Sequence, residues 1–194
     1  MHVSIVDKLA SLRQGIPVLR LDYRYPADNM PCVEDVTAAM DHLDQNYSIR
    51  KFVLVGWSLG GAPVFTVSGR EKGRATVASR TAKTGGIRQL SPRHLLLLHG
   101  TGDRTLSWYC SQNLYELYGA KGHRQLKLFE GDDHALTLNA LKAEELLCDF
   151  IVKCAGVKID DNQEEKVIQK PWLDSKERVE LMKKGGDLEG ESVE

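Results

Sequence analysis

The segment KFVLVGWSLGGA, residues 51–62, constrains the chain more than any other. Four apolar residues, Phe52 to Val55, run straight into a serine fenced by glycines. Length and β-branched content make this run a strand. Its unbroken hydrophobicity predicts burial on both faces, as in a parallel sheet. The small residues after Ser58 read as the start of a helix. A strand that turns abruptly into a helix forces the residue at the bend into a strained backbone conformation. Gly56 and Gly60 are expected to remove side chains that would collide across the bend, leaving Ser58 exposed at its tip. The free N–H groups of the helix start favour developing negative charge there, with Leu59 N–H as the first donor of an oxyanion hole.

Two more apolar runs, IPVLRLDYR (16–24) and RHLLLLHG (93–100), read as buried strands, and RATVASR (74–80) and RQLKLFEG (124–131) as weaker ones. Between them lie helical patterns over 33–47, 107–119 and 135–156, the first with Val33, Val36, Met40 and Leu43 on one stripe. Strand alternating with helix predicts an α/β domain: a mostly parallel sheet with helices on both faces. A chain of 194 residues suits one such domain. Its expected limits are 1–156. Beyond Gly156 the composition turns charged and poor in core-formers, which predicts a mobile tail over 157–194. Within that tail, Trp172 and Leu173 could dock locally and DSKERVELMKK (174–184) could form one short helix.

Composition excludes several classes of partner. The net charge of −1 gives no electrostatic reason to expect nucleic acid or an anionic membrane. No apolar run approaches the roughly 20 residues that span a bilayer. The N-terminal residues lack the cationic, apolar and small-residue regions of a signal peptide. The four cysteines, Cys32, Cys110, Cys148 and Cys154, form no CxxC pair and no zinc-finger spacing. Reduced thiols and a cytoplasmic setting are expected, without a structural metal.

A serine at its free pKa is a poor nucleophile. It needs a base, and the base needs an acid to fix its tautomer. Asp103, in LLLLHGTGDRTL, follows the C-terminal end of a buried strand; His134, in LKLFEGDDHAL, lies in a loop between strand and helix. All three residues would then share the sheet edge where ligand sites form. Asp132, Asp133 and His99 are rivals by position, although His99 ends an apolar strand and reads better as a structural histidine.

These motifs make the chain resemble the α/β-hydrolase superfamily, especially its small, lidless, dienelactone-hydrolase-like members. LRLDYR (19–24) looks like the strand before the elbow, VGWSLGGA like the elbow, LLLLHGTGDRTLS like the acid strand and GDDHAL like the histidine loop. The order Ser, Asp, His is the one that arrangement requires. The resemblance covers roughly 8–155. It implies Ser58 as nucleophile, Asp103 as acid, His134 as base and Leu59 N–H in the oxyanion hole. It implies hydrolysis of a small acyl substrate through an acyl-enzyme, with no metal and no organic cofactor.

The same resemblance implies an N-terminally shortened sheet. Family members carry further strands ahead of the segment matching 7–24, and one of those strands supplies a second oxyanion N–H. The strand so lacking would lie between those matching 16–24 and 51–56, and HVSIV (2–6) would be at most a remnant of it. An exposed sheet edge invites pairing, so a homodimer through that edge is expected. The short stretch between 80 and 93 leaves no room for a cap domain, which predicts an open, shallow pocket. Two rival functions follow: an impaired, hydrolase-like scaffold or interaction protein, and a peptidase or thioesterase on the same triad.

Overall fold

A computed structural model describes residues 2–25, 28–67, 71–119, 121–171, 176 and 180, with the side chains of 2–4 and 71–72 left aside. In chain order the elements are α1 (His2–Ser11), α2 (Asn29–Tyr47), β1 (Phe52–Trp57), α3 (Gly61–Thr66), β2 (Glu71–Val77), β3 (His94–Gly100), α4 (Tyr109–Tyr118), β4 (Arg124–Phe129) and α5 (Ala140–Ala155). The four strands pair in the order β1-β2-β3-β4, and every pairing is parallel.

Residue alternation explains why the central strand β3 is apolar over Leu95–Leu98. Leu96 and Leu98 of β3 join a cluster with Ile5 and Leu9 of α1 and Leu147 and Ile151 of α5. Leu95 and Leu97, pointing to the opposite face, join Leu114 and Tyr118 of α4. On β1, Val53 and Trp57 belong to the first cluster, whereas Phe52 and Leu54 pack with Val36 and Met40 of α2. Helices therefore cover both faces of the sheet, and β1 and β3 carry apolar residues on both sides.

Helix ends follow their local signals. The Asp28 side chain accepts from Asn29 N–H at the start of α2, and Gly156 closes α5 in the left-handed region at φ 70°. A buried ion pair, Lys8 to Glu144 at 2.7 Å, ties α1 to α5.

Three expectations change. Residues 16–24 form no strand: Val18, Leu19 and Leu21 are exposed, and an apolar cavity of about 1410 Å³ separates the segment from β1. The segment's two ends bond to helices rather than to a strand. Ile16 N–H donates to Leu9 O at 2.9 Å, and the Arg24 backbone and guanidinium donate to Asp35 at 3.1 and 2.6 Å. Without a neighbour to complete its ladder, an apolar pattern alone makes no strand. Residues 2–6 are not a strand either but the first turn and a half of α1, whose Ile5 and Leu9 reach the core at helical spacing.

The third change is at the C-terminal boundary. Residues 157–168, read as the beginning of a charged tail, pack on the domain. Asp160 caps a helical turn at Asp161–Gln163 that continues through Glu164–Ile168, and Ile168 is fully buried in the core. The docking of Trp172 and Leu173, and the helix over 174–184 apart from Lys176 and Glu180, lie outside the described residues.

Candidate active site

Ser58 stands at the C-terminal end of β1 with φ 53°, in the left-handed region that side chains other than glycine rarely adopt. Trp57 before it is extended, at φ −118° and ψ 136°, and a tight turn at Ser58–Gly60 leads into α3. The bend closes at Gly56, where a Cβ would meet Gly60 O at 2.3 Å. The second tight position is Gly61, whose Cβ would meet Ser79 Oγ at 2.0 Å; at Gly60 a Cβ would find only the Tyr23 ring at 3.8 Å. The elbow thus needs Gly56 and Gly61, a shift of one residue from the sequence expectation.

Asp103 lies three residues beyond β3 with its side chain fully buried. Its Oδ1 accepts the N–H groups of Thr105 and Leu106, both at 2.8 Å. Its Oδ2 lies 2.7 Å from His134 Nδ1 and 3.0 Å from His99 Nε2. Burial works against the charge of this carboxylate, but the hydrogen bonds from His134, His99 and Leu106 N–H outweigh it. They hold Asp103 well below the usual carboxylate range.

His134 is 7% exposed, in the loop after β4. That loop lies directly on the end of β3, where a Cβ on Gly100 would meet Asp132 O at 2.2 Å and one on Gly102 would meet Gly131 O at 2.6 Å. Asp132 staples the loop: it accepts from Asp133 N, Leu138 N, Asn139 N and Asn139 Nδ2 at 2.9–3.0 Å. Asp133 accepts from Ala135 N and Thr137 N at 3.1 and 2.9 Å. Both carboxylates are engaged by N–H groups of their own loop, and the carboxylate that meets His134 Nδ1 is Asp103. The imidazole of His134 stacks on Trp57 with centroids 5.9 Å apart, and Trp57 Nε1 donates to His134 O at 3.2 Å.

The structure joins Asp103 and His134 by a hydrogen bond. Trp57, which stacks on His134, is the residue before Ser58, and Leu59 follows Ser58 within the same turn. Sequence reading undervalued His99, Asp132, Gly61 and Gly100. The pattern HGTGD carries a signal for two of them, a histidine and a glycine a few residues ahead of a loop carboxylate. The four cysteines are free, and among the described residues no group of three His, Cys, Asp or Glu could hold a metal ion. No helix among them is long and apolar enough to cross a membrane.

Solved structures share this architecture. Est1E from Butyrivibrio proteoclasticus is 14% identical, with 79% of this chain and 81% of that chain covered and a TM-score of 0.65. The esterase domain of a Rhodothermus marinus protein is 22% identical, with 77% and 78% covered and a TM-score of 0.62. The fold is that of the α/β hydrolases. A third similar structure is Est2, a thermophilic esterase from Thermogutta terrifontis with propionate bound, at 18% identity, 72% coverage of both chains and a TM-score of 0.59. No protein-family model matches the chain, and no curated protein is similar enough in sequence to count as a match. On this α/β-hydrolase scaffold, Ser58, Asp103 and His134 all project from the C-terminal edge of the parallel sheet.

Proposed function

We propose that this chain is a serine hydrolase of carboxylic esters. The observation that carries the reading is the 2.7 Å contact between His134 Nδ1 and Asp103 Oδ2, with His134 stacked on Trp57, the residue before a serine held at φ 53°. A carboxylate at Nδ1 fixes the imidazole with its hydrogen on that nitrogen and leaves Nε2 as the base. Ser58 Oγ attacks the ester carbonyl while His134 takes its proton. The oxyanion so formed is held by Leu59 N–H. Collapse expels the alcohol, which receives the proton from His134, and water then releases the acid by the same two steps in reverse roles.

Two of the similar structures are esterases, one of them with propionate bound, and Est1E has been solved with ferulic acid bound; these support the same reading. The short connection between β2 and β3, residues 78–93, leaves no room for a cap domain there, which suits an ester of a small acid. One observation favours a rival, an impaired hydrolase-like scaffold. The cavity lies between 16–23 and β1, against Gly56 and Trp57, where the family resemblance expects a further strand, and the family's second oxyanion N–H comes from one of its N-terminal strands. The loss of one such donor lowers turnover by about 100- to 1,000-fold.

Turnover of a short p-nitrophenyl ester decides between them. The hydrolase reading expects measurable hydrolysis that Ser58→Ala removes, together with Ser58-dependent labelling by a fluorophosphonate. A folded protein that neither hydrolyses nor labels is the scaffold. Equal rates in the wild type and in Ser58→Ala reject Ser58 as nucleophile.

A further inference from the structure

His99 is the penultimate residue of β3 and is completely buried, at 0% exposure. A histidine inside a leucine strand is costly to bury unless both ring nitrogens are satisfied, and here they are satisfied in an informative way. Nε2 lies 3.0 Å from Asp103 Oδ2 and 3.0 Å from the backbone oxygen of Leu106. Both of those atoms can only accept, so the hydrogen must sit on Nε2. Nδ1 lies 2.7 Å from the hydroxyl of Ser111, another fully buried side chain, on α4. With Nε2 protonated, Nδ1 of the neutral ring is an acceptor, and Ser111 donates into it.

We infer that His99 is a positioning residue for the His134–Asp103 pair, acting through a buried chain from Ser111 to His99 to Asp103 to His134. It rests on the triad reading given above. One carboxylate oxygen, Asp103 Oδ2, receives an N–H from two imidazoles, His134 at 2.7 Å and His99 at 3.0 Å. The first consequence is geometric. With Oδ1 committed to two backbone N–H groups and Oδ2 pinned by His99, the carboxylate cannot rotate away from His134.

The second consequence is electrostatic. Each donor takes a share of the charge on Oδ2, and the share taken by His99 no longer stabilises the imidazolium of His134. His99 therefore restrains the basicity of His134 as well as aiming its partner. Ser111 strengthens this restraint, because donating into Nδ1 polarises the opposite N–H. The other carboxylates beside His134, those of Asp132 and Asp133, are committed to N–H donors in their own loop.

The test reads the titration of the His134 ring by NMR in the full-length resting protein, assigned with a His134→Gln spectrum, so it needs no turnover. In His99→Phe, which keeps a ring but no donor, the His134 midpoint should rise by about 0.5–1 pH unit, the equivalent of one net hydrogen bond. His99→Gln, which restores an N–H donor, should bring it most of the way back. Ser111→Ala should raise it by a smaller amount. A residue that merely fills space would leave the midpoint where it was, so an unchanged or lowered midpoint in His99→Phe overturns the inference. If that variant does not fold, Ser111→Ala decides alone, a rise supporting the chain and no change refuting it. Ester hydrolysis that survives Ser58→Ala would sink the functional reading and leave this titration result standing.

Discussion

The rim above β3 and β4 and the margin outside β1 are built from the same kind of sequence, yet only the rim is closed. At the rim, β3 is paired on both sides, by β2 and β4, the loop after β4 lies on its end, and Asp132 alone accepts four hydrogen bonds that hold this loop in place. At the margin, IPVLRLDY is as apolar as the rim strands, but its main chain faces a cavity and Leu19 is 51% exposed. Hydrophobicity is equal in the two regions; the supply of hydrogen-bond partners is not. A buried surface is set by side chains, whereas a strand also requires a neighbour of the right spacing.

The largest test of the contrast is at the rim. Asp103→Asn keeps the shape of the side chain but places an amide where His134 Nδ1 needs an anion. The imidazole is then free to adopt the wrong tautomer, and ester turnover should fall by about 10⁴-fold. Steady-state hydrolysis of a short p-nitrophenyl ester measures it. A fall of less than tenfold would mean that the 2.7 Å contact plays no part in the chemistry.

The next test sets one leucine from each region against the other. Leu97, at 0% exposure between β2 and β4, should lose about 2–5 kcal/mol of stability on change to alanine. Leu19, in the unpaired segment, should lose less than about 0.5 kcal/mol. Urea denaturation of the two variants measures the difference. Similar losses would show that 16–24 is as tightly built into the domain in solution as β3, and the contrast between rim and margin would be gone.

How far the sequence could be read follows the same division. The strands β1, β3 and β4 and the helices α2, α4 and α5 were legible because each has its partners within the domain and its periodicity reports a real face. The order of Ser58, Asp103 and His134 was legible because each follows the end of a strand in a parallel sheet, so topology alone carries them to one edge. Residues 16–24 were misread because a run of apolar residues reports the wish for burial and says nothing of whether a ladder partner exists. HVSIV was misread for a related reason: five residues are too few to separate period 2 from period 3.6, and Ile5 and Leu9 settle it only once α5 is beside them. His99 and Asp132 were hidden because their roles depend on contacts from other loops, and neither a buried histidine nor a second loop aspartate shows in sequence what it faces.

Burial and partnership separate two carboxylates as they separate the two regions. Asp103 is surrounded by donors and sits well below the usual range. Asp149, on α5, is pushed up to about 6 by burial and by the charges of Glu164 and Glu145, with Lys142 offsetting part of this. An aspartate in the unfolded chain titrates near 3.9. Below about pH 4 Asp149 is neutral in both states and costs the fold nothing. As pH rises from 4 through 6 the unfolded chain releases its proton first, and the folded state loses stability relative to it. The sign is opposite to that of Asp103, whose contribution is present at neutral pH and is lost on acidification. Asp149→Asn should therefore raise the melting temperature at pH 7 by a few degrees and leave it unchanged at pH 4, with only the high-pH side of the stability curve lifted. Melting curves of wild type and variant across pH 4–7 give the answer. An equal effect at both ends would assign the gain to packing, and no effect at pH 7 would show that Asp149 is solvated as freely as any surface carboxylate.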